Sequence, residues 1–380
     1  MITIETIQSL ERFRALKEEW NDLLARCPHR TPFLTHEWMM TWWTYFGAGK
    51  TLSILALREA GRLVAIAPLM TYWGWFYDRY LKLPARVVET MANYHSNRVD
   101  FIYAEYRDEY LMAIWDHLAA DGDWHFLRLY PVDARSRTVA GLRRMAARRK
   151  VPIAVLKDQA SPYLKISNEW EEFTRRHLTA EIRRKGRKAM RALAEHRLLV
   201  DVVTQAADID ELMETVFRVA EKSWAAKRGT AISSTPQLRG FYRDLARLAN
   251  ARGWLHLWLL RQNGTTLAYE YNLRFGETIY NLKLGFDATF SRLSPGHTLK
   301  YLALSEIVRN EPHVKEYDFL GDVEPYKLGW TRAVRPHVKM YLYHPRHLYA
   351  RWLHLLQTRL VEPAKARWWH KSPSPSPLPS

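Results

Sequence analysis

A chain of 380 residues, 47% hydrophobic and 13% aromatic, has a globular composition and room for two domains or for one large domain built from two halves. No apolar run reaches the 18 residues of a spanning helix. The opening MITIETIQSLERF lacks the basic and apolar regions of a signal peptide, so neither a membrane span nor secretion is expected. The net charge of +17 and pI near 9.8 call for an anionic partner: a coenzyme, a nucleotide-sugar, RNA or an acidic membrane face.

In chain order, residues 5–26 read as a helix and Thr35 caps a second one over 38–46. Strands are predicted at 51–58 and 62–70, joined by the turn Glu59-Ala60-Gly61-Arg62. A helix at 108–120, a buried strand at 124–130 and extended chain at 151–168 follow. Helices are then expected at 169–196, 208–227 and 235–252, and strands at 254–262, 266–275 and 277–286. A helix at 298–310, a strand at 314–320, a short segment around Tyr326 and a strand at 334–343 complete the series. The helix–hairpin–helix–strand order occurs twice, which implies two copies of one α+β unit, residues 1–160 and 161–345.

Residues 346–371 place Leu348, Tyr349, Trp352, Leu353, Leu356 and Leu360 at helical spacing, with Arg351, His354 and Thr358 elsewhere. This amphipathic basic helix either packs on its domain or lies on an anionic membrane surface. The last nine residues, SPSPSPLPS (372–380), are expected to be disordered. Cys27 is the only cysteine, so an intramolecular disulfide is impossible and a cytoplasmic location is the plain expectation.

The cations form two runs: Arg143, Arg144, Arg148, Arg149 and Lys150, then Arg183, Arg184, Lys185, Arg187, Lys188 and Arg191. Each alone reads as a solvated helix face; together they exceed what solubility asks for. No HExxH or CxxC ligand set, GxSxG elbow or Walker loop is present, so no metal is expected. Trp38, Trp42, Trp43, Trp73 and Trp75 are either core residues or sugar-stacking surfaces.

The most informative stretch is 277–330. Ser294-Pro295-Gly296 offers an N-cap, a proline at the first helical position and free amides just after it, which together make an anion site. Tyr326, presented after the next strand, is a weak acid. The pair suits a phosphate-bearing donor whose leaving group must be protonated.

These residues resemble a family. The order strand, Gly-containing loop, helix, strand and Tyr326-Lys327-Leu328-Gly329-Trp330 resembles the acyl-CoA core of the GNAT (Gcn5-related N-acetyltransferase) superfamily. Trp224, Lys227-Arg228-Gly229, Phe286-Asp287, Ser294-Pro295-Gly296 and Asp318-Phe319-Leu320-Gly321 narrow the resemblance. They look like the double-GNAT branch that includes CelD-like acetyltransferases of cellulose and exopolysaccharide operons, to which Fem-type aminoacyl transferases are related. One departure stands out: Arg292-Leu293-Ser294-Pro295-Gly296-His297 puts proline where the family's pyrophosphate loop has its first glycine, removing one amide donor.

The resemblance implies two GNAT-like halves with mixed central sheets flanked by helices. It implies an acyl-CoA donor, most simply acetyl-CoA, polarised by the amides of Leu282, Lys283 and Leu284. Arg292, Ser294, Gly296, His297 and Thr298 would hold its phosphates. Tyr326 would protonate the leaving thiolate, and Lys327 would neutralise phosphate or developing charge. Asp287 is the first choice for the general base; Asp318, Glu270 and His297 are alternatives, and His95 and Asp100 are candidates on the acceptor side. The expected activity is acyl transfer to an amino or hydroxyl group of a polysaccharide or cell-envelope precursor. The alternatives are a Fem-like transferase using aminoacyl-tRNA, whose phosphates the basic runs would track, and a non-catalytic protein on the anionic inner membrane.

Overall fold

The alternation Ile2-Thr3-Ile4-Glu5-Thr6-Ile7 overrides the helical reading of the chain's start. In the computed structural model, which describes residues 1–78, 81–167, 169–195 and 197–363, these residues form the strand Ile2–Ile7. It pairs antiparallel with Ile54–Glu59, from Ile2 opposite Glu59 to Ile7 opposite Ile54. Helix starts only after Ser9, whose hydroxyl accepts the Arg12 amide at 3.1 Å, and continues as Leu10–Ala15 and Lys17–Ala25.

The chain is mixed α+β and divides into two compact units that exchange segments. The first comprises Met1–Arg30, Gly49–Asp158 and the chain from Val338 onward; the second comprises Thr31–Ala48 and Gln159–His337. In the first unit, a small sheet joins Ile2–Ile7, Ile54–Glu59, Arg62–Ala67 and Ile102–Tyr103. Strand Leu69–Asp78 pairs antiparallel with Leu81–Thr90, which in turn runs parallel to Phe126–Asp133. Leu81–Thr90 was not anticipated, because Pro84 and three charged residues interrupt its apolar pattern. The helices Asp108–Ala120 and Arg137–Arg149 cover the core. The second was seen only as a basic run; Val139, Leu142, Met145 and Ala146 are its buried side and the arginines its solvent side.

In the second unit, strands Leu199–Val203, Leu255–Gln262, Thr265–Phe275 and Thr278–Phe286 are successive antiparallel neighbours. Glu316–Asp318 joins parallel to the last of them, and residues 163–165, at the end of strand Ile153–Lys165, lie antiparallel beyond it. Helix Pro295–Asn310 covers one face of this sheet. Helix Pro236–Arg252 lies against the other, where the Tyr271 hydroxyl donates to the Tyr242 carbonyl at 3.3 Å. The helix expected over 169–196 breaks at Leu178 into Trp170–His177 and Ala180–Ala194, because Thr179 caps the second through the Ile182 amide.

Thr31–Ala48 belongs to this second unit. Its helix His36–Phe46, capped by Thr35, sets Trp38 edge-on to Phe241 at 5.8 Å, and the Tyr45 hydroxyl donates to Asp244 at 2.5 Å. A cut at residue 160 would therefore strand a helix of the second unit. The tail forms the helix Leu348–Leu356 and a π-helical turn Gln357–Val361; the expected continuation to 371 and the tail 372–380 lie outside the described residues. Among the described residues no helix is long and apolar enough to cross a membrane.

Candidate active site

The sheet of the second unit opens in the middle. Strand Thr278–Phe286 pairs with Glu316–Asp318 over three positions only, ending at Tyr280 opposite Asp318. Beyond that point the two chains part, since the Phe319 amide turns to the Pro162 carbonyl at 3.0 Å. On its other edge, the register against Thr265–Phe275 jumps from Asn281 to Lys283, leaving Leu282 as a bulge. The predicted donor amides of Leu282, Lys283 and Leu284 thus sit on a bulged strand beside an opening in the sheet.

The strand leads to Asp287, a 3-10 turn (Ala288–Leu293) and helix Pro295–Asn310. Ser294 occupies the N-cap position, but in a left-handed conformation (φ 50°, ψ 49°), and its hydroxyl makes no capping bond. The expected side-chain cap is absent; the Ser294 carbonyl instead accepts the Thr298 amide at 3.0 Å. Pro295 has no amide hydrogen, so Gly296 and His297 are the first donors of the helix without an intrahelical acceptor. A Cβ at Gly296 would lie 3.3 Å from the Phe286 ring, close enough that the ring would have to give by a few tenths of an ångström.

In front of this helix start lies a cavity of about 520 Å³. Arg184, Lys185, Lys188 and Arg191 of the basic helix Ala180–Ala194, with Arg197 and Arg292, line it alongside Ser294, Pro295 and Thr298, and no acid among the described residues does. Lys185 and Arg197 are paired with Glu181 at 2.8 Å and with Glu195. The helix is held close by Gly186, where an added Cβ would overlap the Tyr301 ring at 2.0 Å. Arg183 has another task, donating to the Leu178 carbonyl at 2.7 Å. His297 stacks on Trp330 at 6.3 Å; burial and the nearby Lys185 lower its pKa, so it is neutral at neutral pH.

Tyr326 and Lys327 lie on the short helix Pro325–Leu328. Burial, Glu324 and Glu270 push the Tyr326 phenol well above its usual pKa, so it stays protonated. The buried Lys327 ammonium donates to the carbonyls of Leu320 at 2.9 Å and Asp322 at 3.0 Å and approaches Glu324 at 3.7 Å. These bonds fix the loop that presents Tyr326. Leu320 and Gly321 are both left-handed there.

The candidate bases differ in what already holds them. Asp287 accepts from the Thr289 amide at 3.0 Å and hydroxyl at 2.7 Å, and Lys222 lies 3.3 Å away. Burial alone would raise its pKa; those partners outweigh it and keep the carboxylate below its usual value. That geometry gives Asp287 a capping duty. Asp318 is likewise engaged, accepting from the Leu320 amide at 2.9 Å and from Arg335 at 2.7 Å. Glu270 faces the Pro295–Asn310 helix, 2.8 Å from the Lys300 ammonium and accepting from the Tyr317 hydroxyl at 2.9 Å. One of its oxygens, Oε1, has no partner. His95 and Asp100 are buried in the first unit, where the Asp100 carboxylate accepts from the Phe101 amide at 2.7 Å and from the Ser136 hydroxyl.

Sequence reasoning missed two lysines. The side chain of Lys283 lies beside Tyr242, and burial, then the like charge of Lys327, pull its pKa down to about 8. The buried Lys300 also has a lowered pKa, from burial against the opposing pull of Glu270. Their signal was a lysine amid apolar neighbours, in NLKLGF and in TLKYLAL, where only the backbone or the helix period was read. Among the described residues no group of three or more His, Cys, Asp or Glu side chains is arranged to hold a metal ion.

A splayed parallel strand pair, a bulged strand and a helix N-terminus facing a cationic cavity are the arrangement of a GNAT-type domain. Residues 176–328 match the family model Acetyltransf_6, described as "Acetyltransferase (GNAT) domain". Three solved structures share the whole fold. FemX is 12% identical with TM-score 0.58, covering 90% of this chain and 98% of its own. A tandem GNAT protein from the clavulanic acid biosynthesis pathway is 14% identical with TM-score 0.50, covering 91% and 100%. L-PGS from Bacillus licheniformis is 10% identical with TM-score 0.52, covering 93% and 97%. At these identities the likeness is one of fold: two GNAT-like halves. No curated protein matches the sequence.

Proposed function

We propose that the protein transfers an acyl group, most simply acetyl, from coenzyme A to an amino or hydroxyl group of a polysaccharide or cell-envelope precursor. The observation that carries the donor is the opening between Thr278–Phe286 and Glu316–Asp318, set next to the free amides of Gly296 and His297 and the cationic cavity. A thioester lying in that opening has its carbonyl against the bulge at Leu282–Leu284 and its phosphates against Arg292, Ser294 and Thr298. The acceptor's nitrogen or oxygen forms the new bond to the carbonyl carbon, and the carbon–sulfur bond breaks. Tyr326 gives its proton to the departing sulfur. Lys283, part of which is unprotonated near pH 8, takes the acceptor's proton. Lys327 supports this chemistry by holding the Tyr326 loop. The polysaccharide acceptor and the cytoplasmic setting rest on the resemblance to CelD-like acetyltransferases.

A second reading is favoured by Pro295 and the six cations around the cavity. One amide fewer and a wider positive surface suit a larger anionic donor, an aminoacyl-tRNA, as in Fem-type transferases. The test for both is thermal shift with acetyl-CoA, longer acyl-CoAs and aminoacyl-tRNA. Donor at 100 times its dissociation constant adds about 2.7 kcal/mol of stability. Stabilisation by tRNA alone would reverse the order of the readings, and stabilisation by none would remove the enzymatic one.

A further inference from the structure

The helix Leu348–Leu356 is apolar on two sides. Inward, Ala350 and Leu353 join a core with Phe126, Tyr341 and Tyr343. Outward, Leu348, Trp352 and Leu355 are 78%, 46% and 52% exposed. At 100° per residue these three fall within an arc of about 60°. A surface helix needs one apolar face; the second is unexplained by the fold.

That outer face continues onto the Leu69–Asp78 and Leu81–Thr90 hairpin. Tyr349 stacks on Trp352 at 5.7 Å and donates to the Pro84 carbonyl at 3.0 Å. The His125 ring lies 5.1 Å from Tyr349 and 6.0 Å from Trp73. Trp73 and Trp75 are 67% and 54% exposed, and their spacing of two puts both on one face of the strand. Cations surround this surface. Arg346, Arg351 and Arg359 are exposed, and residues 346–361 contain no acid. Arg143, Lys150, Arg351 and His354 line an adjoining open groove of about 640 Å³.

We propose that this face of the first unit docks on a lipid bilayer bearing anionic phospholipids. Tryptophan and tyrosine rings beside leucines match the boundary between headgroups and acyl chains, and the arginines match the headgroup charge. A second copy of the chain is a poorer occupant, because it would bring the same cations to the same face. A soluble phosphate ligand would leave the leucines and tryptophans without a role.

The test is sedimentation of the full chain with phosphatidylcholine vesicles, with and without about 25 mol% phosphatidylglycerol, at low salt. Partitioning should rise at least about tenfold with the anionic lipid and fall again in high salt. Two variants read the apolar contact separately: Leu348→Ser with Leu355→Ser on the helix, and Trp73→Ser with Trp75→Ser on the hairpin. Each should lose about tenfold in partitioning while keeping the wild-type melting curve. The proposal is overturned if the wild type ignores anionic vesicles, or if both folded variants bind as well as it does. It is equally overturned if light scattering shows a dimer that the same substitutions dissolve. Should the helix variant melt early, the hairpin variant alone decides.

Discussion

Tyr326 carries the sharpest prediction at the scale of single residues. Its phenol is protonated throughout the neutral range and sits on a loop pinned by Lys327. Tyr326→Phe should lower turnover about 10²–10⁴-fold with little change in donor affinity, as loss of a general acid does; steady-state kinetics with titrated donor checks both numbers. Asp287 makes the contrasting case. As a cap, Asp287→Ala should cost about 1 kcal/mol of stability, measured by denaturant unfolding, with turnover within a few-fold of wild type. A drop of 10² or more in turnover at unchanged stability would assign it as the base. Lys283 ties the site to pH. Its folded pKa, about 8, lies below the ordinary 10.5, so between those values the unfolded chain binds more protons than the folded one. Stability from this group therefore rises as pH climbs from about 8 to 10.5. Its full size is on the order of 3 kcal/mol. Lys283→Met should flatten that rise in melts taken across the window, and should remove a limb near pH 8 from the rate profile.

Between elements, the contact that shapes the cationic cavity is that of the basic helix with the Pro295–Asn310 helix. Gly186 permits it, because the Tyr301 ring occupies the space a side chain would need. Gly186→Val should force the helices apart and destabilise by about 1–3 kcal/mol, the usual cost of overpacking. It should also weaken donor binding, since Arg184, Lys188 and Arg191 ride on the displaced helix; isothermal titration on the folded variant reads this. The opening in the sheet has a comparable origin. Asp318 ends its strand because its carboxylate turns back to the Leu320 amide while Arg335 grips the other oxygen.

For the whole molecule, the exchange of segments is the property most open to test. Residues 161–345 alone lack the helix His36–Phe46, leaving Phe241 without Trp38 and Asp244 without Tyr45. That fragment should melt earlier than the full chain or aggregate, as seen by circular dichroism. Adding residues 31–48 through a linker should recover part of the loss.

Much of the architecture was legible in the sequence. Helix 108–120, strand 334–343 and the run of strands from 254 to 286 follow from hydrophobic period alone, and the observed bounds lie within a residue or two. Pro295 at the first helical position was legible for the same local reason: proline fixes φ and needs no partner. What failed did so where a distant partner or the geometry of the preceding turn decided. Residues 2–7 became a strand because Ile54–Glu59 offered a ladder, and Ser294 lost its cap to a left-handed turn set by the preceding 3-10 segment. The site divides the same way. The sequence by itself determined the order of elements, the Ser-Pro-Gly start and the position of Tyr326, since each depends on neighbours along the chain. Only the tertiary structure decided that Asp287 is a cap, that Lys283 is half-buried and Lys300 buried, and that Thr31–Ala48 serves the second unit. Those outcomes depend on desolvation and on charges brought close by folding, quantities that no local pattern carries.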